Sequence, residues 1–286
     1  DLKVTKEYYI NDAGSQIKNL TNSVFIRYQE LLGEKFSEYP DDFYPGDYLM
    51  PVAQYFVSTH NTKLLEMNDE ERFSLIKPYT VNFMINLIKE DLAALSINQD
   101  IFISEQDLVN EGKIDKAIKA LEKSNLIYEG VLDPPKGKKP DDWEPRPQML
   151  FKSTNYGDEV DRPLQKSNKE WTYFANDIAY HFDKYKRGST HLIDILGADH
   201  GGYVKRMTAA VAALSDNKAL FTAKLCQMVK LTRDGKQVKM SKRSGEFITL
   251  REVIDEVGSD SIRFMMLYRK NEAPLEFDFT KVTEQS

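Results

Sequence analysis

From Thr190 to Ser215 the chain reads as a short apolar run, THLIDILG, then a glycine-rich turn, ADHGG, then a helix-patterned stretch, YVKRMTAAVAALS. Strand, glycine turn and helix in that order form the unit from which parallel α/β sheets are assembled. The unit recurs. VTKEYYI is rich in strand formers and stops at the turn signal NDAG; Ile17, Leu20, Val24, Tyr28 and Leu31 then repeat at helical spacing as far as Gly33. FTAKLCQMVKL reads as a further strand and TRDGKQ as a hairpin-like turn. Thr249 and Glu252 make a capping box opening TLREVIDEVG, and the helix SDSIRFMMLYRK follows. The pattern predicts an α/β fold with a doubly wound parallel sheet, whose ligands sit at the carboxyl ends of the strands.

Residues 34 to about 125 are patterned mostly as helix. Between Asn68 and Ser96, Phe73, Ile76, Val81, Met84, Leu87 and Ile88 lie at helical intervals, with Pro78 expected to break the helix. Ile114, Ala117, Ile118 and Leu121 continue the pattern. VLDPPKGKKPDDWEPRP is too dense in proline and charge for a regular element and reads as an exposed excursion; QMLFKST is strand-like. WTYFANDIAYHFDKYKRG is a helix with Phe174, Ile178, Phe182 and Tyr185 on one face. The expected organisation is a first strand and helix over 1–33, a mostly helical connective insertion over 34–168, the second half of the sheet over 169–235, and a loop with two helices over 236–286.

Composition narrows the functions. A formal charge of -6 argues against general nucleic-acid affinity, so any nucleic acid must meet local basic patches. The single Cys226 allows no internal disulfide and no cysteine-ligated structural zinc. No apolar run approaches the roughly 20 residues that span a bilayer. A cytoplasmic protein without membrane partners is expected. Asp1 leads straight into a strand-like run, so the chain reads as a fragment.

Three stretches carry candidate chemistry. In ILGADHGG the glycines admit a ligand close to the backbone, Asp199 could accept hydrogen bonds from ribose hydroxyls, and His200 could donate to a polar substrate; the alternative is a glycine turn with Asp199 as a helix cap. Tyr173 and Asp177 stand four residues apart on one helix face, where a phenol and a carboxylate could grip a guanidinium; the alternative is an exposed helix face. QVKMSKRSGE belongs to a run with Lys230, Arg233, Lys236, Lys239, Lys242 and Arg243 against Asp234 alone. Such a loop could close over a triphosphate, or could be a solvated basic hairpin.

Taken together these stretches resemble one family. KMSKRSGE is similar to the lysine-loop signature of class I aminoacyl-tRNA synthetases, and EYYINDAG, LGADHGGYVKRM, TYFANDIAYH and GDEVDRP resemble stretches of arginyl-tRNA synthetases, in family order over nearly the whole chain. The resemblance implies a Rossmann-like catalytic domain that makes arginyl-adenylate from L-arginine and Mg-ATP, then passes arginine to the terminal ribose of its cognate tRNA(Arg). Carried over by position, Tyr173 and Asp177 hold the substrate guanidinium and His200 falls near another contact to the amino acid. Gly197 and Asp199 face the adenosine, and Met228 and Val229 meet adenine through the backbone. Lys239 and Lys242, with Met240 and Ser241 between them, act on the triphosphate. The helices at 249–271 resemble a tRNA stem-contact region.

The resemblance also predicts an H-x-G-H motif, which none of the four histidines matches. In the family it lies upstream of EYYINDAG, so the chain is expected to be a central piece, inactive by itself, with an anticodon-binding domain following it. A cysteinyl-type synthetase is excluded by the lone cysteine. A nucleotidyltransferase sharing only the sheet leaves EYYINDAG and the Tyr173/Asp177 pair unexplained. A non-catalytic synthetase remnant acting as a binding module is the alternative function.

Overall fold

The computed structural model describes residues 2–132, 146–166, 168–238 and 247–284. The chain forms two compact units, one made of residues 1–104, 229–269 and 275–286, the other of 105–228 and 270–274. The first unit begins with β1 (Glu7–Ile10), α1 (Ser15–Leu31), α2 (Met50–His60), α3 (Asp69–Ala94) and β2 (Ile101–Ser104). The second contains α4 (Glu105–Asn110), α5 (Lys113–Lys123), β3 (Ile127–Gly130), β4 (Gln148–Phe151), β5 (Arg162–Pro163), α6 (Tyr173–Lys186), β6 (His191–Gly197), α7 (Tyr203–Ser215) and β7 (Leu220–Cys226). The first is completed by β8 (Val229–Arg233), β9 (Lys236–Gln237), α8 (Leu250–Val257), α9 (Ser259–Tyr268), β10 (Leu275–Asp278) and α10 (Phe279–Thr283).

The α/β class is as expected, and parallel pairing occurs three times among the described residues: β1 with β2, β6 with β7, and β8 with β10. Hydrogen bonding leaves these in separate small sheets, and the antiparallel set β3–β4–β5 forms a further one. β2 and β3 fall in the stretch expected to be mostly helical. Each is only four residues long, too short to impose a visible period of two. The expected domain boundaries at 33, 168 and 235 do not coincide with the limits of the compact units.

Two local expectations are corrected. Pro78 does not break the helix: α3 runs through it. A mid-helix proline costs about 3 kcal/mol. Here it is offset by burial of Ile76 and Thr80 on either side of it, and by a complete Asn68–Glu71 capping box at the start. The run FTAKLCQMVKL is two strands rather than one, because the chain passes from one unit to the other between Met228 and Val229. Other expectations hold. Thr249 and Glu252 form the capping box of α8, and Asp234 (φ 51) and Gly235 (φ 72) make the left-handed turn between β8 and β9. The bulk of the Pro- and Lys-rich excursion, residues 133–145, lies outside the described residues.

In the second unit the core gathers where α5, α6 and α7 pack with β6 and β7, around Ile118, Leu121, Phe174, Ile178, Met207 and Phe221. β6 buries one face only: Leu192 points inward while Ile193 and Ile195 are exposed. Asp194 shares the inward side with Leu192, which sets a carboxylate against α6 inside an otherwise apolar strand. No helix among the described residues is long and apolar enough to cross a membrane. Ile178 has no exposed surface, so Ile178→Ala should destabilise the second unit by about 2–5 kcal/mol in urea unfolding. A cost below 1 kcal/mol would mean that this core is loosely packed.

Candidate functional site

The site starts with α6. The Thr172 hydroxyl caps the helix by accepting from the Ala175 amide at 3.3 Å. Tyr173 is therefore the first helical residue, with most of its side chain in solvent, and Asp177 lies one turn further on the same face. The Lys166 ammonium stands 5.9 Å from the centre of the Tyr173 ring.

Asp177 is the unusual member. Burial pushes its carboxyl up to about 7, and the negative charges of Glu105 and Asp194 push the same way. A hydrogen bond donated by the Tyr203 hydroxyl and the more distant charge of Arg206 only partly oppose this. Glu105, the buried first residue of α4, accepts from Asn176 Nδ2 at 2.9 Å. The Asn176 Oδ1 is buried and unpartnered among the described residues. Asp194 is held differently. Burial works against its charge, but His181 Nε2 at 2.9 Å and Lys184 Nζ at 3.2 Å outweigh burial and keep it below the usual carboxylate range. His181 is fixed from its other side by the Asp177 carbonyl at 2.7 Å from Nδ1. So three carboxylates converge near the middle of α6. Asp194 has the Lys184 ammonium beside it, whereas Asp177 has no ion pair among the described residues. A planar, multiply donating cation is the ligand that such a carboxylate fits best.

The second cluster lies at the carboxyl end of β6. Gly197 ends the strand, and Asp199 folds back over it so closely that a Cβ at 197 would come within 2.5 Å of Asp199 Oδ1. Asp199 caps no helix. α7 starts after Gly202 without a side-chain cap, and the Asp199 carboxylate is largely exposed. The capping alternative is thus excluded, and Asp199 is left available to a ligand. His200 Nε2 lies 3.7 Å from Asp199 Oδ2. Met228 is 79% exposed at the end of the second unit, whereas Val229 opens β8 in the first. Lys239, Met240, Ser241 and Lys242 lie outside the described residues.

The second unit therefore contains Tyr173, Asp177, Gly197, Asp199, His200 and Met228, all but Asp177 reaching solvent freely at helix and strand ends. Sequence reasoning missed Glu105, Asn176, Tyr203 and Asp194. Tyr203 had a legible signal, the first side chain after a glycine pair at a helix start. Glu105 had none, being distant in sequence from everything that it touches.

Fold and sequence alike match this chain to part of the aminoacyl-tRNA synthetases of class I. No protein-family model matches it. Curated relatives do: over 99% of its length it is 56% identical to an arginine–tRNA ligase of Parvibaculum lavamentivorans and 57% identical to one of Brucella anthropi. The chain spans about half (49%) of each of these relatives. A solved structure from Campylobacter jejuni, described as an arginyl-tRNA synthetase, superposes on 99% of the chain with a TM-score of 0.82 and 32% identity; 58% of that structure is covered. Thermus thermophilus arginyl-tRNA synthetase, at 16% identity and a TM-score of 0.62, shares the fold over 99% of the chain and 54% of its own. Over nearly its whole length the chain is thus similar to about half of an arginyl-tRNA synthetase.

The raised carboxyl of Asp177 has a measurable effect on stability. The folded state holds this proton up to about pH 7, whereas the unfolded chain releases it near the ordinary value of 3.8. The folded state thus binds more protons over that window, and the contribution of Asp177 to stability falls as pH rises from about 4 to about 7. Asp177→Asn keeps the shape and an acceptor for Tyr203. It should leave the melting temperature nearly unchanged near pH 3 and raise it at pH 8, and an equal effect at both pH values would contradict the assignment.

Proposed function

We propose that the protein ligates L-arginine to its cognate tRNA(Arg) in the cytoplasm through an arginyl-adenylate, and that this chain supplies the amino-acid pocket and the phosphate-gripping loop. The observation that carries the reading is Asp177, a carboxyl group desolvated beside other carboxylates and without an ion pair among the described residues. The guanidinium of arginine supplies that charge and a fork of donors. Asp177 receives the fork, Tyr173 offers its ring and hydroxyl from the preceding turn, and Glu105 adds negative potential behind them. His200, at the mouth of the neighbouring turn, contacts the rest of the amino acid.

ATP enters as its Mg2+ complex, the ion being part of the substrate. Asp199 and the close-approach position at Gly197 face the ribose, and the Met228–Val229 backbone meets adenine. An oxygen of the arginine carboxylate attacks the α-phosphorus. The bond from that phosphorus to the bridging oxygen breaks, and pyrophosphate leaves with the electron pair. Lys239 and Lys242, on the loop through Met240 and Ser241, meet the charge that grows on the phosphate oxygens. In the second step a hydroxyl of the terminal ribose of tRNA attacks the acyl carbon and AMP departs.

Three measurements test this reading. Guanidinium binding needs the ionised carboxylate, so arginine affinity should rise with pH up to about 7 and level off above it, whereas ATP affinity should not follow that curve. Asp177→Ala in the full-length protein should raise the requirement for arginine far more than that for ATP; equal effects would contradict the pocket. Lys242→Ala should slow adenylate formation by about 100-fold with the dissociation constant for arginine nearly unchanged. Loss of arginine affinity instead would remove the phosphate role.

A further inference from the structure

A groove of about 720 Å³ lies in the second unit, and Asp177 is not among the residues that line it. It runs between α5 and α6, with Ala120, Ala179, Phe182 and Leu214 on its floor and Lys113, Lys116, Lys119, Lys123 and Lys186 around it. On α6, Phe182 follows Tyr173, and Lys186 follows Asp177, by two and a half turns, so the groove lies about 180° around the helix from the guanidinium site.

Its charges are unequally matched. Lys113 is neutralised by Asp183 at 2.7 Å and Glu111 at 3.3 Å, and Asp183 also takes Arg187 at 2.8 Å. The remaining four lysines are exposed and form no ion pair among the described residues. Lys116 Nζ reaches only the neutral Glu111 carbonyl at 3.1 Å, and Lys186 Nζ lies 5.2 Å from the Phe182 ring centre. Lys116, Lys119 and Lys123 form one stripe along α5, opposite the apolar face made by Ile114, Ala117, Ile118 and Leu121. In a chain of formal charge -6 such a concentration of unmatched cations is a local positive field.

We propose that this lysine groove binds the phosphodiester backbone of RNA. From Lys116 to Lys123 the stripe extends about 10 Å along α5, enough to face a few successive phosphates of a strand. Lysines act as point charges without the bidentate fork that reads base edges, so the contact fixes register and not sequence. The choice of RNA over another polyanion rests on the aminoacylation reading; the unmatched charge of the groove does not.

The test compares the full-length protein with the triple variant Lys116→Ala/Lys119→Ala/Lys123→Ala, using a fluorescein-labelled tRNA(Arg) transcript and an unrelated RNA hairpin across a salt series. Affinity for both RNAs should fall by about tenfold per lysine near 0.1 M salt, and the slope of log affinity against log salt should become shallower by nearly one per lysine. The triple Lys→Arg variant should restore both. Unchanged affinity and slope in the alanine variant would overturn the proposal. So would binding of poly-glutamate that the alanine variant loses while RNA binding persists, which would assign the groove to an acidic protein segment. Arginine binding by calorimetry is read in parallel. If arginine binds and the lysines do not matter to RNA, the groove alone fails; if arginine does not bind the unmodified protein, the aminoacylation reading fails.

Discussion

A carboxylate taken out of water beside other carboxylates must find a cation or give up its charge. That constraint organises the second unit. Asp194 enters the interior because strand alternation turns it toward α6, and it stays ionised because α6 answers with His181 and Lys184. Asp177, four residues before His181 on the same helix, gets no such answer and rises to about 7. Glu105 reinforces the deficit. The architecture thus keeps one structural carboxylate satisfied and a neighbouring one hungry, and the difference between them separates scaffold from site.

The carriers of that arrangement are ordinary. α6 is amphipathic in the usual way, with Phe174 and Ile178 buried in the core. Its remaining circumference is divided between two opposite electrostatic surroundings, acidic around Asp177 and basic around Lys186. The glycines at the end of β6 are equally economical. Gly197 makes room for Asp199, and the absence of a side-chain cap on α7 leaves that carboxylate facing solvent.

Most of this was legible where the pattern is local. α6, α7, β6 and the Thr249–Glu252 capping box announce themselves by period or by paired residue types, and the Tyr173/Asp177 spacing was visible at once. What stayed hidden is non-local. β2 and β3 are too short to show a period. Glu105 joins the pocket only through tertiary contact with Asn176, and Asp194 lies in a run that reads simply as apolar, its partners on α6 being brought to it by the fold. Pro78 misled because its cost is local, whereas its compensation, burial of the helix on both sides of it, is not. The lysine stripe on α5 is local too, since the spacing that sets the apolar face of the helix also sets the face opposite it.

The path of the chain between its two units bears on how the protein is made. β1 waits for β2, and the pairing Glu7↔Ile101 closes only after three helices have been laid down. The same unit then waits far longer, since Asp91 receives Arg251, the Leu95 carbonyl receives Arg263, and β8 pairs with β10 only at Leu275–Asp278. The second unit needs almost nothing from outside 105–228, its one late addition being the short stretch 270–274, where the Asn271 carbonyl accepts from Gln227 at 2.7 Å. During synthesis the middle of the chain can complete its core while the beginning still has groups without partners. The core of the second unit can therefore close before β10 is made, while Asp91 and the Leu95 carbonyl of the first unit still await their partners on α8 and α9.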